Sequence, residues 1–300
     1  MSATSVETIQ AHLEKTRVLV DAELERLLPP ADTYPPSIHQ AMRHSVFAGG
    51  KRLRPILCLE AGRLFGGDEP SLRRLGGALE LVHTYSLIHD DLPALDNDDL
   101  RRGKPTCHRA FGEATAILAG DALLTLAFEA ISAPGPPSDA CRLRVVHELA
   151  RAIGTRSGMV GGQVIDLETT GQSVDAETVA YIHSAKTGAF IRAAVRCGAL
   201  YAEAPEEDLA RVTTYSEKVG LAFQIVDDLL DVLGTKELMG KNVGKDGHQQ
   251  KATYPAVHGV EESQRIAARL VCEACETLEP YGERARTLQG IARYMMARNS

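Results

Sequence analysis

The chain has 300 residues, of which 44% are hydrophobic and 24% charged, a composition typical of a soluble globular protein with a sizeable core. Its net charge of −7 argues against nucleic acid as a partner, because binding to the phosphate backbone needs an excess of clustered Lys and Arg. The six scattered Cys are typical of reduced thiols, and the first residues show no basic segment followed by an apolar run. These features predict a cytoplasmic protein without a signal peptide.

Helices dominate the predicted secondary structure. Apolar residues recur at helical spacing along most of the chain, as in Ile9, Leu13, Val18 and Leu24. Strand signals are nearly absent, since aromatics make up 5% and no long alternation of β-branched residues occurs. The sequence therefore predicts an all-α fold.

Pro- and Gly-rich breaks separate the predicted helices, and the stretch 133–138 is the candidate domain linker. We nevertheless expect a single domain over residues 1–300, because two acidic clusters that serve one ligand must lie in one cavity. The longest apolar segment runs from about Ala116 to Ile131 and is interrupted by Asp121 and Glu129. We expect it to be too short and too polar to span a membrane, which predicts no stable membrane insertion.

A basic turn is the first motif with chemistry. Residues 49–55 read Gly-Gly-Lys-Arg-Leu-Arg-Pro, which places Lys51 and Arg54 on one helical face. The spacing is not that of a P-loop. A basic cluster alone is more often a solvated surface, but Gly-Gly before it and Pro after it favour a shaped turn that presents cations to phosphate.

An aspartate cluster follows the next helix. Asp90, Asp91 and Asp96 would diverge on a continuous helix, but Pro93 should end the helix and let Asp96 fold back toward Asp90. Clustered carboxylates repel one another unless a cation neutralises them, and all-oxygen sites favour Mg²⁺ over zinc. A solvated acidic helix face is the ordinary interpretation of an arbitrary pair of Asp, but it explains this spacing less well.

Two arginines come directly after this cluster and decide against a calcium loop. Counted from Asp96, the sixth position is Arg101 instead of Gly and the twelfth is Cys107 instead of Glu, so the EF-hand pattern fails. Carboxylates next to Arg101 and Arg102 suit a polyanion that is held by metal on one side and by guanidinium on the other.

A second aspartate cluster lies in a predicted helix near the end of the chain. Asp227, Asp228 and Asp231 occupy positions i, i+1 and i+4, so Asp227 and Asp231 share a face with Gln224 one turn earlier. A polyanionic ligand bridged by metal would explain both clusters.

Further cations and thiols are weaker signals when taken alone. Lys186-Thr187-Gly188, Lys241 and Lys251 lie near potential helix ends, where an exposed Lys is commonplace. Cys272 and Cys275 form a C-x-x-C, but no second pair follows, so a zinc or redox role is disfavoured.

Taken together, these motifs resemble the trans-isoprenyl diphosphate synthases, and the stretch 83–121 is most similar to the bacterial farnesyl diphosphate synthase branch. The resemblance covers roughly residues 40 to 260. The segments that carry it, in chain order, are Gly49-Gly50-Lys51-Arg52-x-Arg54-Pro55, Asp90-Asp91-x-x-x-x-Asp96 with Arg101-Arg102-Gly103, Gly161-Gly162-Gln163, Lys186-Thr187-Gly188 and Phe223-Gln224-x-x-Asp227-Asp228-x-x-Asp231.

The resemblance implies antiparallel helices around a large central cavity, a homodimer and small-molecule diphosphate substrates. It implies a cluster of three Mg²⁺ ions on the allylic diphosphate, held by Asp90, Asp96 and Asp227 with support from Asp91, Asp228 and Asp231. The implied ligands of that diphosphate are Arg101, Lys186, Lys241 and Lys251. Those of isopentenyl diphosphate are Lys51, Arg54, His83 and Arg102. The oxygens of Thr187 and Gln224 would stabilise the carbocation, next to Lys186.

The product is the finest expectation. Tyr85 and Ser86 precede Asp90 by five and four residues, and the resemblance implies that an aromatic at this depth stops the chain at fifteen carbons. The expected activity is therefore that of a farnesyl diphosphate synthase, with a geranylgeranyl diphosphate synthase as the alternative. A class I terpene cyclase would not need the site of Lys51 and Arg54. A non-catalytic synthase subunit usually lacks one aspartate motif, whereas both are complete here.

Overall fold

The computed structural model of the chain describes residues 3–172, 174–233 and 253–297. The helices of these segments, numbered in chain order, are α1 (Ala3–Leu27), α2 (Pro36–Val46), α3 (Leu53–Leu64), α4 (Glu69–Asp90), α5 (Cys107–Phe111), α6 (Glu113–Ser132), α7 (Asp139–Ile153), α8 (Met159–Thr169), α9 (Ala176–Ile182), α10 (Ala189–Tyr201), α11 (Glu206–Leu233), α12 (Tyr254–His258), α13 (Val260–Thr277) and α14 (Arg286–Ala297). A π-helical turn (His183–Gly188) precedes α10, and a 3₁₀ turn (Glu279–Ala285) precedes α14. The predicted all-α fold is confirmed.

Several helices begin where side chains cap them. The Asp68 carboxylate accepts a hydrogen bond from the N–H of Ser71 at 3.0 Å and so caps α4. Ser138 caps α7 in the same way, and Asp175 caps α9. Because these caps satisfy N–H groups that have no partner within the helix, the local sequence fixes where the helices start.

Strands in the described part of the chain are limited to one small hairpin. Strands β1 (Leu100–Arg101) and β2 (Lys104–Pro105) pair antiparallel, with Arg101 opposite Lys104. This hairpin lies between α4 and α5, and it holds Arg101 close to the end of α4.

The long helix α4 lies at the centre of the packing. It packs against α3 on one side and α6 on the other, while α10 bridges α3 and α11. One large hydrophobic core runs from Ile9 in α1 to Met295 in α14. Leu79 and Val195, which lie on opposite sides of the Pro-rich stretch 133–138, are both fully buried in this core. That stretch therefore does not separate two cores.

Helix α6 corrects one expectation from the sequence. Among the described residues, it alone has the length and apolar composition of a membrane span, so the segment is neither too short nor too polar for one. The same composition suits a core helix. Ala119 and Leu123 are buried, whereas Ile117 and Leu118 are exposed. One face of α6 thus packs in the core, and the other exposes apolar side chains beside polar ones such as Asp121.

Candidate active site

The first aspartate cluster lies at the end of α4, where the chain turns back on itself. The N–H of Asp96 donates to the carbonyl of Asp90 at 2.8 Å, and the N–H of Asp98 donates to the carbonyl of Asp91 at 3.2 Å. The fold-back of Asp96 toward Asp90, predicted from Pro93, is confirmed. Backbone bonds therefore bring the two carboxyl-bearing residues together.

Asp91, the other aspartate at the end of α4, is already bound by an arginine. Its side chain is buried, and Arg101 Nε donates to its two oxygens at 2.7 and 2.9 Å. Arg101 also lies 3.5 Å from Asp98. Because both oxygens of Asp91 are engaged, its visible role is to hold the hairpin of Arg101 against the end of α4.

Asp90 occupies a position that favours a cation. Burial raises the pKa of its carboxyl to about 6; Lys186 opposes this rise, and the neighbouring Asp96 adds to it. Within the described ranges, no group of three His, Cys, Asp or Glu side chains is arranged to hold a metal ion by itself. A divalent ion at Asp90 therefore fits the charge of the site but needs further ligands, such as diphosphate oxygens.

The second aspartate cluster lies within the last two turns of α11, and its residues have different surroundings. Asp227 is half-buried, whereas Asp228 and Asp231 are buried. Gln224 Nε2 donates to Asp228 Oδ1 at 3.0 Å, and Asp228 was not one of the two aspartates predicted to share its face. The N–H of Tyr254 and the ring of His183 also contact Asp228, at 2.9 and 3.0 Å.

The π-helical turn brings Lys186 and Thr187 to this cluster. Thr187 Oγ1 donates to Gln224 Oε1 at 2.8 Å. Lys186 Nζ donates to Asp166 Oδ2 of α8 at 2.6 Å. Gly162 makes this approach possible, because a Cβ there would collide with the backbone of Lys186. The lysine is therefore fixed at its backbone by α8 and at its ammonium by Asp166.

Three residues of the predicted isopentenyl diphosphate site lie together. Arg54 Nη1 is 3.4 Å from His83 Nε2, and Arg102 donates to the carbonyl of Gly49. Burial and the surrounding arginines, Arg54 first, keep the pKa of His83 well below its usual value, so the ring is neutral. Burial lowers the pKa of Arg54 to about 10, although it stays charged at neutral pH, and its Nε is buried without a hydrogen-bond partner. Such a group calls for an anionic ligand.

Lys51 and Arg52, the neighbouring cations, have contrasting environments. Lys51 is exposed. Arg52 is 3% exposed, and it donates to Glu80 at 2.7 Å, to Asp21 at 2.8 Å and to the carbonyl of Val46 at 2.7 Å. Its φ of 51° is left-handed, and these three bonds hold it there. Arg52 is thus the anchor of the turn, between Lys51 and Arg54.

The predicted chain-length residues lie one turn and more before Asp90. Tyr85 is 8% exposed, and its ring packs edge-on against His89 with centroids 5.8 Å apart. His89 Nε2 lies 3.1 Å from the carbonyl of Ile117 in α6. Ser86 Oγ donates to the carbonyl of His83 at 2.9 Å. Tyr85 is therefore held in the layer between α4 and α6.

Two predicted ligands remain to be located, and three residues of the site were not predicted from the sequence. Lys241 and Lys251 lie outside the described residues. Sequence reasoning missed His183, Asp166 and Glu80, which bind Asp228, Lys186 and Arg52. Asp166 had a usable signal, since it falls three residues after the motif residue Gln163. The partners of His183 and Glu80 are distant in sequence, and no spacing indicates them.

The site links its two aspartate clusters through cations. Lys186 acts on the pKa of Asp90, and Asp227 acts on the pKa of Arg54, so residues of α4, α11, the π-turn and the basic turn share one electrostatic environment. The polyprenyl synthetase family model matches residues 35–280. The chain belongs to this family. It is therefore a prenyl diphosphate synthase, a transferase of isoprenoid biosynthesis whose family acts on diphosphate substrates and generally uses Mg²⁺.

Relatives of this prenyl diphosphate synthase differ in product. The geranylgeranyl diphosphate synthase of Cyanophora paradoxa is 47% identical over 292 residues, which cover 96% of each chain. The farnesyl diphosphate synthase of Escherichia coli (strain K12) is 45% identical over 282 residues, which cover 92% of this chain and 94% of that protein. An apo structure of a FPP/GFPP synthase from Zymomonas mobilis superposes with a TM-score of 0.86 at 38% identity, covering 97% of this chain and 99% of that one. The family and fold are shared across these products.

Proposed function

We propose that the enzyme condenses isopentenyl diphosphate with dimethylallyl and then geranyl diphosphate to give farnesyl diphosphate. The observation that carries this proposal is a pair of polar environments: Asp90 with Asp96 and Lys186 acting on it, and the cations Arg54 and Arg102 around the neutral ring of His83. A carbon–carbon coupling of two diphosphate substrates needs both.

In this proposal Asp90, Asp96 and Asp227 would hold three Mg²⁺ ions in the first environment. When bound, the ions supply positive charge that stabilises the diphosphate leaving group. Asp91, Asp228 and Asp231 support these ligands from buried positions. Lys186 and Arg101 add cationic charge on the same side, and we assign Lys241 and Lys251 to it as further ligands.

The residues of this chain then bind and orient the two substrates. The allylic C1–O bond breaks, its electron pair leaves with the diphosphate, and the terminal alkene carbon of isopentenyl diphosphate bonds to C1. A proton is then lost from C2 of the isopentenyl unit to the released diphosphate. Thr187 and Gln224 offer oxygens to the cation, and Lys186 holds the leaving group. Preorganised charge of this kind usually lowers the activation free energy more than any other feature of an active site.

The fifteen-carbon product rests on Tyr85. Its buried ring lies about 7 to 8 Å below Asp90 along α4, at the helical rise of about 1.5 Å per residue. We assign this ring as the feature that stops the growing chain at fifteen carbons. Geranylgeranyl diphosphate is the second candidate, because relatives of nearly equal identity carry that name.

Product analysis separates the two candidates. The purified enzyme is incubated with dimethylallyl and isopentenyl diphosphates and Mg²⁺, and the dephosphorylated products are sized by gas chromatography. We expect farnesol from the wild type and a shift toward geranylgeraniol from Tyr85→Ala. Tyr34→Ala is the matched control, since Tyr34 is 90% exposed. An active, folded Tyr85→Ala enzyme with unchanged product length would refute the assignment of Tyr85.

We also propose that the enzyme is a cytoplasmic homodimer, in which a second copy of the chain covers the exposed face of α6. Ile117 and Leu118 are 45% and 59% exposed on this face. A charge there opposes burial of apolar surface, so Leu118→Glu should yield monomers in light scattering after gel filtration. A wild-type monomer at micromolar concentration would contradict the proposal.

A further inference from the structure

A chain of hydrogen bonds leads from a buried histidine, through two residues of α11, to the hydroxyl of Thr187. It starts at His183, whose side chain is only 4% exposed. The ring nitrogen Nδ1 lies 2.9 Å from the carbonyl of Val179. The other nitrogen, Nε2, lies 3.0 Å from Asp228 Oδ2. The imidazole therefore bridges α9 and α11.

Asp228 also contacts Gln224 and determines how the Gln224 amide is oriented. Its second oxygen faces Gln224 Nε2 at 3.0 Å, and Oδ2 also accepts the N–H of Tyr254 at 2.9 Å. Because a carboxylate only accepts, the NH₂ group of Gln224 must point to Asp228 and its carbonyl oxygen away from it. The orientation of an amide that could otherwise flip is thus set by its neighbour.

Gln224 in turn decides the direction of the Thr187 hydroxyl. The carbonyl oxygen Oε1 accepts from Thr187 Oγ1 at 2.8 Å, so the hydroxyl hydrogen is directed at Gln224. The lone pairs of Oγ1 are left for another neighbour. A hydroxyl that turned its hydrogen toward a developing carbocation would oppose the reaction, whereas a lone pair stabilises it.

We infer that His183 is a positioning residue for the prenyl transfer: through Asp228 and Gln224 it fixes the Thr187 hydroxyl so that a lone pair faces the carbocation. The inference rests on the proposed function. Tyr254 assists from the other side, since its ring packs on His183 with centroids 5.2 Å apart while its N–H binds Asp228. The residues that we assign to the diphosphates, such as Lys186 and Arg101, are not members of this chain of hydrogen bonds, so we expect substrate binding not to depend on His183.

The test is a double-mutant cycle between His183→Phe and Thr187→Val, with kcat and KM measured for geranyl and isopentenyl diphosphates. We expect His183→Phe to lower kcat about tenfold or more, with both KM values within about threefold of wild type. In the Thr187→Val background the same change should cost less than about twofold, because the hydroxyl it orients is gone. His258→Phe is the control, since this ring also packs against Tyr254, with centroids 5.1 Å apart.

Three results would overturn the inference: additive losses in the double mutant, an equal loss of kcat in His258→Phe, or a loss confined to KM. If His183→Phe fails to fold, His183→Gln replaces it in the cycle. Its amide keeps a donor for Asp228 and should retain more kcat than any variant without one; a full loss in folded His183→Gln also overturns the inference. If the wild-type enzyme does not elongate the allylic diphosphate at all, the proposed function is refuted instead. The two failures are therefore distinguishable.

Discussion

At the end of α4, a backbone hydrogen bond brings Asp96 back to Asp90, whereas in α11 Asp228 is held by a side chain and a backbone N–H from other elements. The first cluster is held by residues close to it in sequence, from the turn after α4 to Arg101 in the hairpin that follows. The second depends on His183 and Tyr254, which lie far from it in sequence. Mutations distant from the site should therefore disturb the second cluster much more than the first.

The largest expected effect tests whether both clusters serve one metal-bound diphosphate. Asp90→Asn and Asp227→Asn should each lower kcat about a thousandfold, about 4 kcal/mol in activation free energy, because each removes an anionic ligand. Steady-state kinetics with saturating Mg²⁺ measure this. Asp68→Asn is the control, since Asn also caps a helix and should leave kcat within about twofold.

Removal of the metal sharpens the same comparison. We expect turnover to stop after dialysis against a chelator and to return with added Mg²⁺. Full turnover in the chelated enzyme would contradict a metal role for either cluster, and a large loss from only one of the two variants would contradict a clamp with two sides.

A buried carboxylate outside both clusters gives the next largest effect. Glu80 is 1% exposed and receives a charged hydrogen bond from the equally buried Arg52, so Glu80→Gln leaves a buried guanidinium short of its partner. We expect a loss of about 3 kcal/mol in the free energy of unfolding, measured by urea denaturation.

Glu69→Gln is the matched control for Glu80. Glu69 also pairs with two arginines, but its side chain is 34% exposed, so its loss should cost less than about 1 kcal/mol. Equal losses in the two variants would show that burial does not set the value of the Arg52 pair.

The difference between the clusters also explains what could be predicted from the sequence. Helical periodicity and Pro93 sufficed for the all-α fold and for the turn at Asp96, because both are local. The partner of Gln224 could not be found by spacing. Helical spacing leaves Asp227 at i+3 and Asp228 at i+4 as possible partners, and His183 and Tyr254 hold Asp228 in place for the bond. The burial of α6 also depends on packing with residues that are distant in sequence. Its composition therefore could not show whether it is a core helix.

A further prediction separates the two diphosphate environments. Arg54→Ala or His83→Ala should raise KM for isopentenyl diphosphate about tenfold or more, and Lys186→Ala should do so for the allylic substrate, since each removes a bond to a charged group. Kinetics with each substrate varied in turn measure the split. The opposite ordering would mean that the two sites are exchanged.

The smallest effect is a gain in stability, and it isolates the charge of the first cluster from its catalytic role. Burial raises the pKa of Asp90 to about 6 from an ordinary 3.8, so the unfolded chain releases this proton before the folded protein does. Stability contributed by this group therefore falls as pH rises from about 4 to about 6, and it stays lower above that range. In chelator at pH 7.5, Asp90→Asn should be more stable than wild type by about 1 to 3 kcal/mol, and at pH 4 the gain should vanish.

Asp68→Asn should show no gain at pH 7.5, because the hydrogen bonds of Asp68 with Ser71 lower the pKa of that carboxyl and make its charge stabilising. Thermal melting at both pH values measures the effect, and an Asp90→Asn protein that melts no higher than wild type at pH 7.5 would show that Asp90 carries no unneutralised charge in the metal-free enzyme.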